Sequence, residues 1–154
     1  MKIKMLVMDV DGTLTDGHIY MGPGGETMKA FSCKDGYGIG QMLPGMGIVP
    51  VIITGRSSQI VLNRARELHI EELYQGVADK LPLLEQIAAK YGFAREEIAY
   101  IGDDLNDWEC LKYCGLTGCP QDAEETVKEI VNFVAPRDGG RGAVRDFIEY
   151  IAKL

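Results

Sequence analysis

Met5-Leu6-Val7-Met8 is an apolar run that leads straight into Asp9-Val10-Asp11-Gly12-Thr13. Two carboxylates closing an apolar strand have no obvious structural partner. Other segments end in similar polar groups. Ile48 to Ile53 runs into Thr54-Gly55-Arg56, and Ile98 to Ile101 runs into Gly102-Asp103-Asp104-Leu105-Asn106-Asp107, while Lys80 opens a helical pattern. In an open α/β sheet, ligands bind outside the carboxyl ends of the strands, so these are the positions where chemistry is expected. Several Asp side chains converging with a Thr and a Lys repel one another unless a hard cation sits among them, and oxygen ligands of this kind suit Mg2+. A carboxylate held on such a cation can attack a phosphoryl group whose charge the metal offsets. An isolated Asp104 or Thr54 reads equally well as a helix cap or a turn residue.

The elements that must hold these side chains are legible as an alternation. Short apolar runs at Met5 to Met8, Ile48 to Ile53, Leu73 to Tyr74, Ile98 to Ile101, Leu116 to Cys119 and Asn132 to Val134 interleave with amphipathic segments. Helices are expected at Ser57 to Leu68, Leu81 to Tyr91, Asp104 to Tyr113, Ala123 to Ile130 and Ala143 to Leu154. The last of these carries Val144, Phe147, Ile148 and Ile151 on one stripe. The expectation is an α/β fold, a doubly wound parallel sheet of Rossmann-like order with helices on both faces. Two segments stand outside it. Ile19-Tyr20-Met21 and Thr27 to Phe31, around Gly22-Pro23-Gly24-Gly25, read as a β-hairpin flap spanning about residues 15–31. Arg137-Asp138-Gly139-Gly140-Arg141-Gly142 opens a C-terminal tail, about 137–154, with a backbone able to approach a ligand closely.

The spacing Asp9-x-Asp11-Gly12-Thr13, Thr54, Lys80 and Gly102-Asp103-Asp104-x-x-Asp107 resembles the four motifs of the haloacid dehalogenase superfamily phosphatases, in order over nearly the whole chain. The resemblance implies Asp9 as the nucleophile that forms an aspartyl-phosphate. Asp11 is suited to protonate the departing alkoxide and then to deprotonate water, while its backbone carbonyl is implied as a Mg2+ ligand. Asp103 completes the implied metal set of Asp9, Asp11 and Asp103, with Asp104 and Asp107 in supporting positions. Thr54 can donate a hydrogen bond to the phosphoryl oxygens, and Lys80 can neutralise charge that shifts onto them.

Neither the stretch from Asp9 to Thr54 nor that from Lys80 to Asp103 leaves room, after its connecting helix, for an independent cap of about 50 residues. A single capless domain over residues 1–154 is therefore expected. Asp9 to Gly17, Lys29-Ala30-Phe31, Asp35-Gly36-Tyr37-Gly38-Ile39, Tyr74-Gln75-Gly76 and Gly139 to Arg145 also resemble the capless branch that includes the 3-deoxy-D-manno-octulosonate 8-phosphate phosphatases. That branch implies a phosphorylated keto-deoxy sugar acid as substrate, a place in lipopolysaccharide biosynthesis and a homotetramer. Arg56, and Arg64 about two helical turns further on, suit a sugar-acid carboxylate together with Lys34, Asp35, Gly36 and the phosphate-facing Lys80. Arg rather than Glu at position 56 resembles the eight-carbon group. Gly40 departs from the branch, whose members place a basic residue about there.

The alternatives are a phosphatase for a nine-carbon sugar-acid 9-phosphate, a non-catalytic oligomerisation module and a phospho-acceptor receiver. The intact Asp9, Asp11, Lys80 and Asp103 argue against the module, and a receiver would carry its acceptor Asp where Thr54 stands. With 16 basic and 23 acidic residues the net charge is −7, and no basic stripe is present for a nucleic-acid backbone. The apolar run before Asp9 is far shorter than the roughly seven to fifteen residues of a signal core. A cytoplasmic protein with no membrane partner is the expectation. Cys33, Cys110, Cys114 and Cys119 lack zinc-ribbon spacing and read as free thiols. His18 and His69 read as surface residues, and Tyr37 and Trp108 as core candidates.

Overall fold

The first strand owes its place to a four-residue run that is apolar on both faces, which only a central strand covered on both sides can bury. Met5, Leu6, Val7 and Met8 are all fully buried. The computed structural model describes residues 2–154. Strand β1 (Met5–Met8) leads to a hairpin, β2 (Tyr20–Gly22) and β3 (Gly25–Met28), then to α1 (Cys33–Tyr37), which continues through a π-helical stretch, Gly38–Met42, into α2 (Leu43–Gly45). Next come β4 (Val49–Ile53), α3 (Gln59–Glu67), β5 (Glu72–Tyr74) and α4 (Lys80–Tyr91). The chain then forms β6 (Ile98–Ile101), α5 (Trp108–Tyr113), β7 (Leu116–Cys119), α6 (Glu125–Ile130), β8 (Phe133–Val134) and α7 (Ala143–Ala152).

Six strands form one parallel sheet in the order β5-β4-β1-β6-β7-β8, and β2 and β3 form a separate antiparallel pair. In the central register Met8 faces Ile52 on one side and Ile101 on the other, so β1, β4 and β6 end level. Side-chain alternation divides the core. Leu6 and Met8 pack with Ile39, Leu43, Val61, Phe147 and Ile148, whereas Met5 and Val7 pack with Leu84, Ile87, Tyr100, Leu111 and Val127. The order reverses on either side of β1, which is where a doubly wound sheet opens its ligand crevice.

The expected helices and strands agree with the structure to within a few residues, with one element split and two unanticipated, a helical segment over Cys33–Gly45 and a 3-10 turn at Arg95–Glu97. The expected Asp104 to Tyr113 helix begins as a 3-10 turn, Leu105–Asp107, because the Asp104 carboxylate caps it by accepting from the Leu105 amide at 2.7 Å. Nothing in the sequence suggested a helix over Cys33–Gly45. Gly36, Gly38, Gly40 and Pro44 are all poor helix formers, and tertiary packing overrides that weakness. A Cβ on Gly38 would lie 2.9 Å from Ile148 Cδ1, so the missing side chain lets this helical segment press onto α7. Tyr37 is not a core residue. It is 58% exposed and lies beside the Arg145 guanidinium, while Trp108 is half-buried. His18 and His69 are exposed, as expected. Among the described residues no helix is long and apolar enough to cross a membrane.

Candidate active site

The acidic residues stand one step beyond the strands but remain tied to the sheet. Asp9 donates its amide to the Ile101 carbonyl at 3.1 Å, and Thr54 donates its amide to the Tyr74 carbonyl at 3.0 Å. Asp9 and Thr54 are therefore held by the backbone ladder as well as by side-chain packing. After Asp9 the chain folds into a tight turn in which the Thr13, Leu14 and Thr15 amides all donate to the Val10 carbonyl. Gly12 has φ +88°, and a Cβ there would sit 1.9 Å from Asp103 Oδ2. Only glycine allows the loops after β1 and β6 to come this close.

Lys80, the first residue of α4, reaches from beneath. Its ammonium donates to Asp9 Oδ1 and to Asp107 Oδ1, both at 2.9 Å, and the side chain is buried. Burial alone disfavours the charged ammonium, but the Asp9 and Asp107 carboxylates outweigh it and raise the lysine pKa. Asp107 is fully buried and fully used. Its Oδ1 also accepts from the Tyr100 hydroxyl at 2.5 Å, and its Oδ2 accepts from the Asp103 and Asp104 amides at 3.1 and 3.4 Å. It thus fixes both Lys80 and the Asp103 backbone. Asp103 accepts from the Thr13 hydroxyl at 3.2 Å. Burial, and then the Asp9 charge, push its carboxyl up to about 9, while burial and then Asp107 push Asp9 up to about 6. Carboxylates placed so that they resist simultaneous ionisation suit a hard cation. One carboxylate oxygen each from Asp9, Asp103 and Asp107 lie within 4.8 Å of one another.

Above this cluster opens a cleft of about 420 Å³ lined by Asp9, Asp11, Thr54, Arg56, Asp103 and Asp104, together with Gly17, Gly55 and Asn106. Thr54 and the exposed Arg56 both face this cleft, and neither side chain has a protein hydrogen-bond partner among the described residues. The structure therefore brings Asp9, Asp11, Thr54, Lys80, Asp103, Asp104, Asp107 and Arg56 together. The remaining expected substrate contacts lie elsewhere, between α1, α3 and α7. Asp35 is turned inward and accepts from the Arg145 amide at 2.9 Å, near the start of α7; Gly36 is buried against Arg64. Arg64 lies 5.4 Å from the Phe31 ring centroid and donates to the Ser32 carbonyl at 3.2 Å. Lys34 is exposed on α1.

Sequence reasoning gave no role to three residues of this site. Tyr100 sits mid-strand and is indistinguishable there from a core aromatic, and Thr13 lies inside a motif with no signal of its own. Lys29, from the end of the hairpin, donates to Asp11 Oδ1 at 2.6 Å and to Glu26 Oε2 at 2.9 Å. A lone lysine after a strand carries no sign of such a partner.

Known proteins match this arrangement. A family model described as haloacid dehalogenase-like hydrolase matches residues 61–148. The chain is 42% identical over 149 residues to the 3-deoxy-D-manno-octulosonate 8-phosphate phosphatase of Escherichia coli K12, covering 97% of this chain and 79% of that protein. The crystal structure of the Moraxella catarrhalis 3-deoxy-D-manno-octulosonate 8-phosphate phosphatase, in complex with a magnesium ion, a phosphate ion and a KDO molecule, superposes with a TM-score of 0.93. It is 41% identical, covering 98% of this chain and 86% of that one. The cobalt-bound Haemophilus influenzae deoxy-D-mannose-octulosonate 8-phosphate phosphatase gives a TM-score of 0.95 at 35% identity, covering 99% and 88%. With the acidic cleft at the sheet's reversal point and a match over nearly its whole length, the chain belongs to the haloacid dehalogenase-like hydrolases, in their family of 3-deoxy-D-manno-octulosonate 8-phosphate phosphatases.

Proposed function

We propose that the protein hydrolyses 3-deoxy-D-manno-octulosonate 8-phosphate to the free sugar acid and phosphate, with Mg2+ held by Asp9, Asp103 and the Asp11 backbone carbonyl. The observation that carries this reading is a buried Asp9, clamped by Lys80 and crowded by Asp103, in a cleft also lined by Thr54 and the exposed Arg56. Mg2+ in that cluster supplies charge neutralisation for the carboxylates and for the incoming phosphoryl group. The Asp9 carboxylate attacks phosphorus as the bond to the ester oxygen breaks, and Asp11 gives that oxygen its proton. Water then attacks the aspartyl-phosphate, losing a proton to Asp11, and Asp9 is released with inorganic phosphate. Thr54 donates to the phosphoryl oxygens, and Lys80 stays protonated behind Asp9, offsetting charge through both steps.

Arg56 is the guanidinium available to the substrate carboxylate within the chain's own cleft, and its planar fork suits bidentate pairing. Lys34, Gly36 and Arg64 lie outside that cleft, so any role for them in binding requires that a second copy present them. We take a homotetramer as the closed form of the site. The hairpin supports it, for it projects with Ile19, Met21 and Met28 at 37, 64 and 51% exposure, more apolar surface than a solvated flap needs. The deciding experiment is phosphate release from eight-carbon and nine-carbon keto-deoxy acid phosphates, assayed side by side with Mg2+. The eight-carbon ester should have the higher kcat/KM, and Arg56→Ala should lower it far more than that of 4-nitrophenyl phosphate. Preference for the nine-carbon ester would overturn the substrate assignment and leave the phosphatase reading standing.

A further inference from the structure

The hairpin does more than project. Lys29 follows directly on β3, yet its side chain is only 2% exposed, because it folds inward behind the loop after β1. Burying an ammonium is costly unless it is paired, and Lys29 has two partners. Glu26, three residues earlier on β3, is a local one. Asp11, distant in sequence, is the other, and it is the carboxylate of that loop whose side chain remains 21% exposed and lines the cleft. An ion pair whose sole task was to fasten the hairpin would have no need of that particular carboxylate. Lys29 is also the only side chain bonded to Asp11 among the described residues. It takes Oδ1 and leaves Oδ2 without a protein partner.

We propose that Lys29 is a positioning residue for Asp11, fixing Oδ1 so that Oδ2 is the oxygen that exchanges the proton with the leaving group and then with the attacking water. The proposal rests on the phosphatase reading above and deepens it. In the first step the Oδ2–H bond breaks as the ester oxygen leaves phosphorus and takes that proton. In the second, Oδ2 accepts a proton from water as the water oxygen bonds to phosphorus, and Lys29 keeps its own protons throughout. Glu26 holds the ammonium from its other side, so the flap delivers a tethered cation to the acid–base residue. A misplaced catalytic group loses rate steeply even when the fold survives, and general acid assistance matters most when the leaving group is a poor one.

The test uses leaving-group dependence, which a merely structural role would not move. Magnesium-loaded wild-type and Lys29→Met proteins are compared on an alkyl sugar phosphate and on 4-nitrophenyl phosphate. Loss of kcat/KM should be at least about tenfold greater for the alkyl ester, within the range of general acid contributions. Lys29→Arg should recover part of that difference, and in an Asp11→Asn background Lys29→Met should no longer change the ratio. An equal loss on both esters, or no loss on either, would overturn the proposal. Should Lys29→Met fail to fold by circular dichroism, Glu26→Gln is measured instead, and must shift the ratio in the same direction or the proposal falls. A wild-type protein inactive on both esters would instead sink the phosphatase reading itself.

Discussion

At the scale of single residues, the site is a set of charges that tolerate one another poorly until a cation joins them. An unfolded Asp titrates near 3.8, whereas burial and neighbouring carboxylates raise Asp9 to about 6 and Asp103 to about 9. Between those values the native state binds more protons than the unfolded chain, so rising pH favours unfolding. This contribution is fully present below the unfolded value and is lost as pH climbs through the folded ones. The metal-free protein should therefore melt at a lower temperature at pH 9 than at pH 6. Mg2+, which takes the place of the retained proton, should raise the midpoint more at pH 9. Thermal melts with chelator and with Mg2+ at the two pH values check this, and an equal Mg2+ shift at both would show that the carboxylates are not the metal's seat. Most of these residues were legible because Asp and Lys at strand ends lack a structural partner. Tyr100 was not, because nothing in a buried strand marks which aromatic carries a working hydroxyl. The inward turn of Asp35 was not legible either, for its position beside Lys34 and Gly36 gives no hint that the carboxylate faces α7.

Among the elements, the tail loop before α7 has the most consequence for the site. Gly140 donates to the Thr13 carbonyl at 3.2 Å, and a Cβ on Gly139 would stand 2.0 Å from the Gly12 carbonyl oxygen. The tail thus braces the turn that carries Asp11 and meets Asp103. Gly139→Ala must push that turn away, and a displacement of about 1 Å at a catalytic loop can cost on the order of 10²-fold in rate. We expect kcat to fall by about that factor while far-UV circular dichroism stays native, and an unchanged kcat would mean that the tail merely covers the loop. The glycine-rich tract was readable as a close-approach backbone, but its target was not, because the turn it touches is more than a hundred residues earlier in the chain. The stripe on α7 was equally readable, since Val144, Phe147, Ile148 and Ile151 recur at helical spacing and are all buried. The helix over Cys33–Gly45 was invisible for the opposite reason: Gly38 answers to the face of α7 and Gly36 to the Arg64 side chain, not to any local preference.

At the scale of the whole molecule, a sheet with no cap leaves its cleft open, and the proposed tetramer would close it with a neighbour. Substituting Met21→Glu on the exposed hairpin should disperse the proposed tetramer and lower kcat/KM for the sugar-acid phosphate more than for 4-nitrophenyl phosphate. Sedimentation velocity at assay concentration reads the assembly, and a fully active monomer of the unmodified protein would contradict it. The assembly can fail without touching the chemistry, because the nucleophile, its lysine and the acidic cluster all belong to one chain. That chemistry is tested most directly by phosphate release from 3-deoxy-D-manno-octulosonate 8-phosphate, with Mg2+, by the wild-type protein and by Asp9→Asn. The substitution keeps the shape of the side chain and removes the attacking charge, so the wild type should release phosphate rapidly and a folded Asp9→Asn protein none above background. Near-wild-type, magnesium-dependent release by that variant would contradict the aspartyl-phosphate.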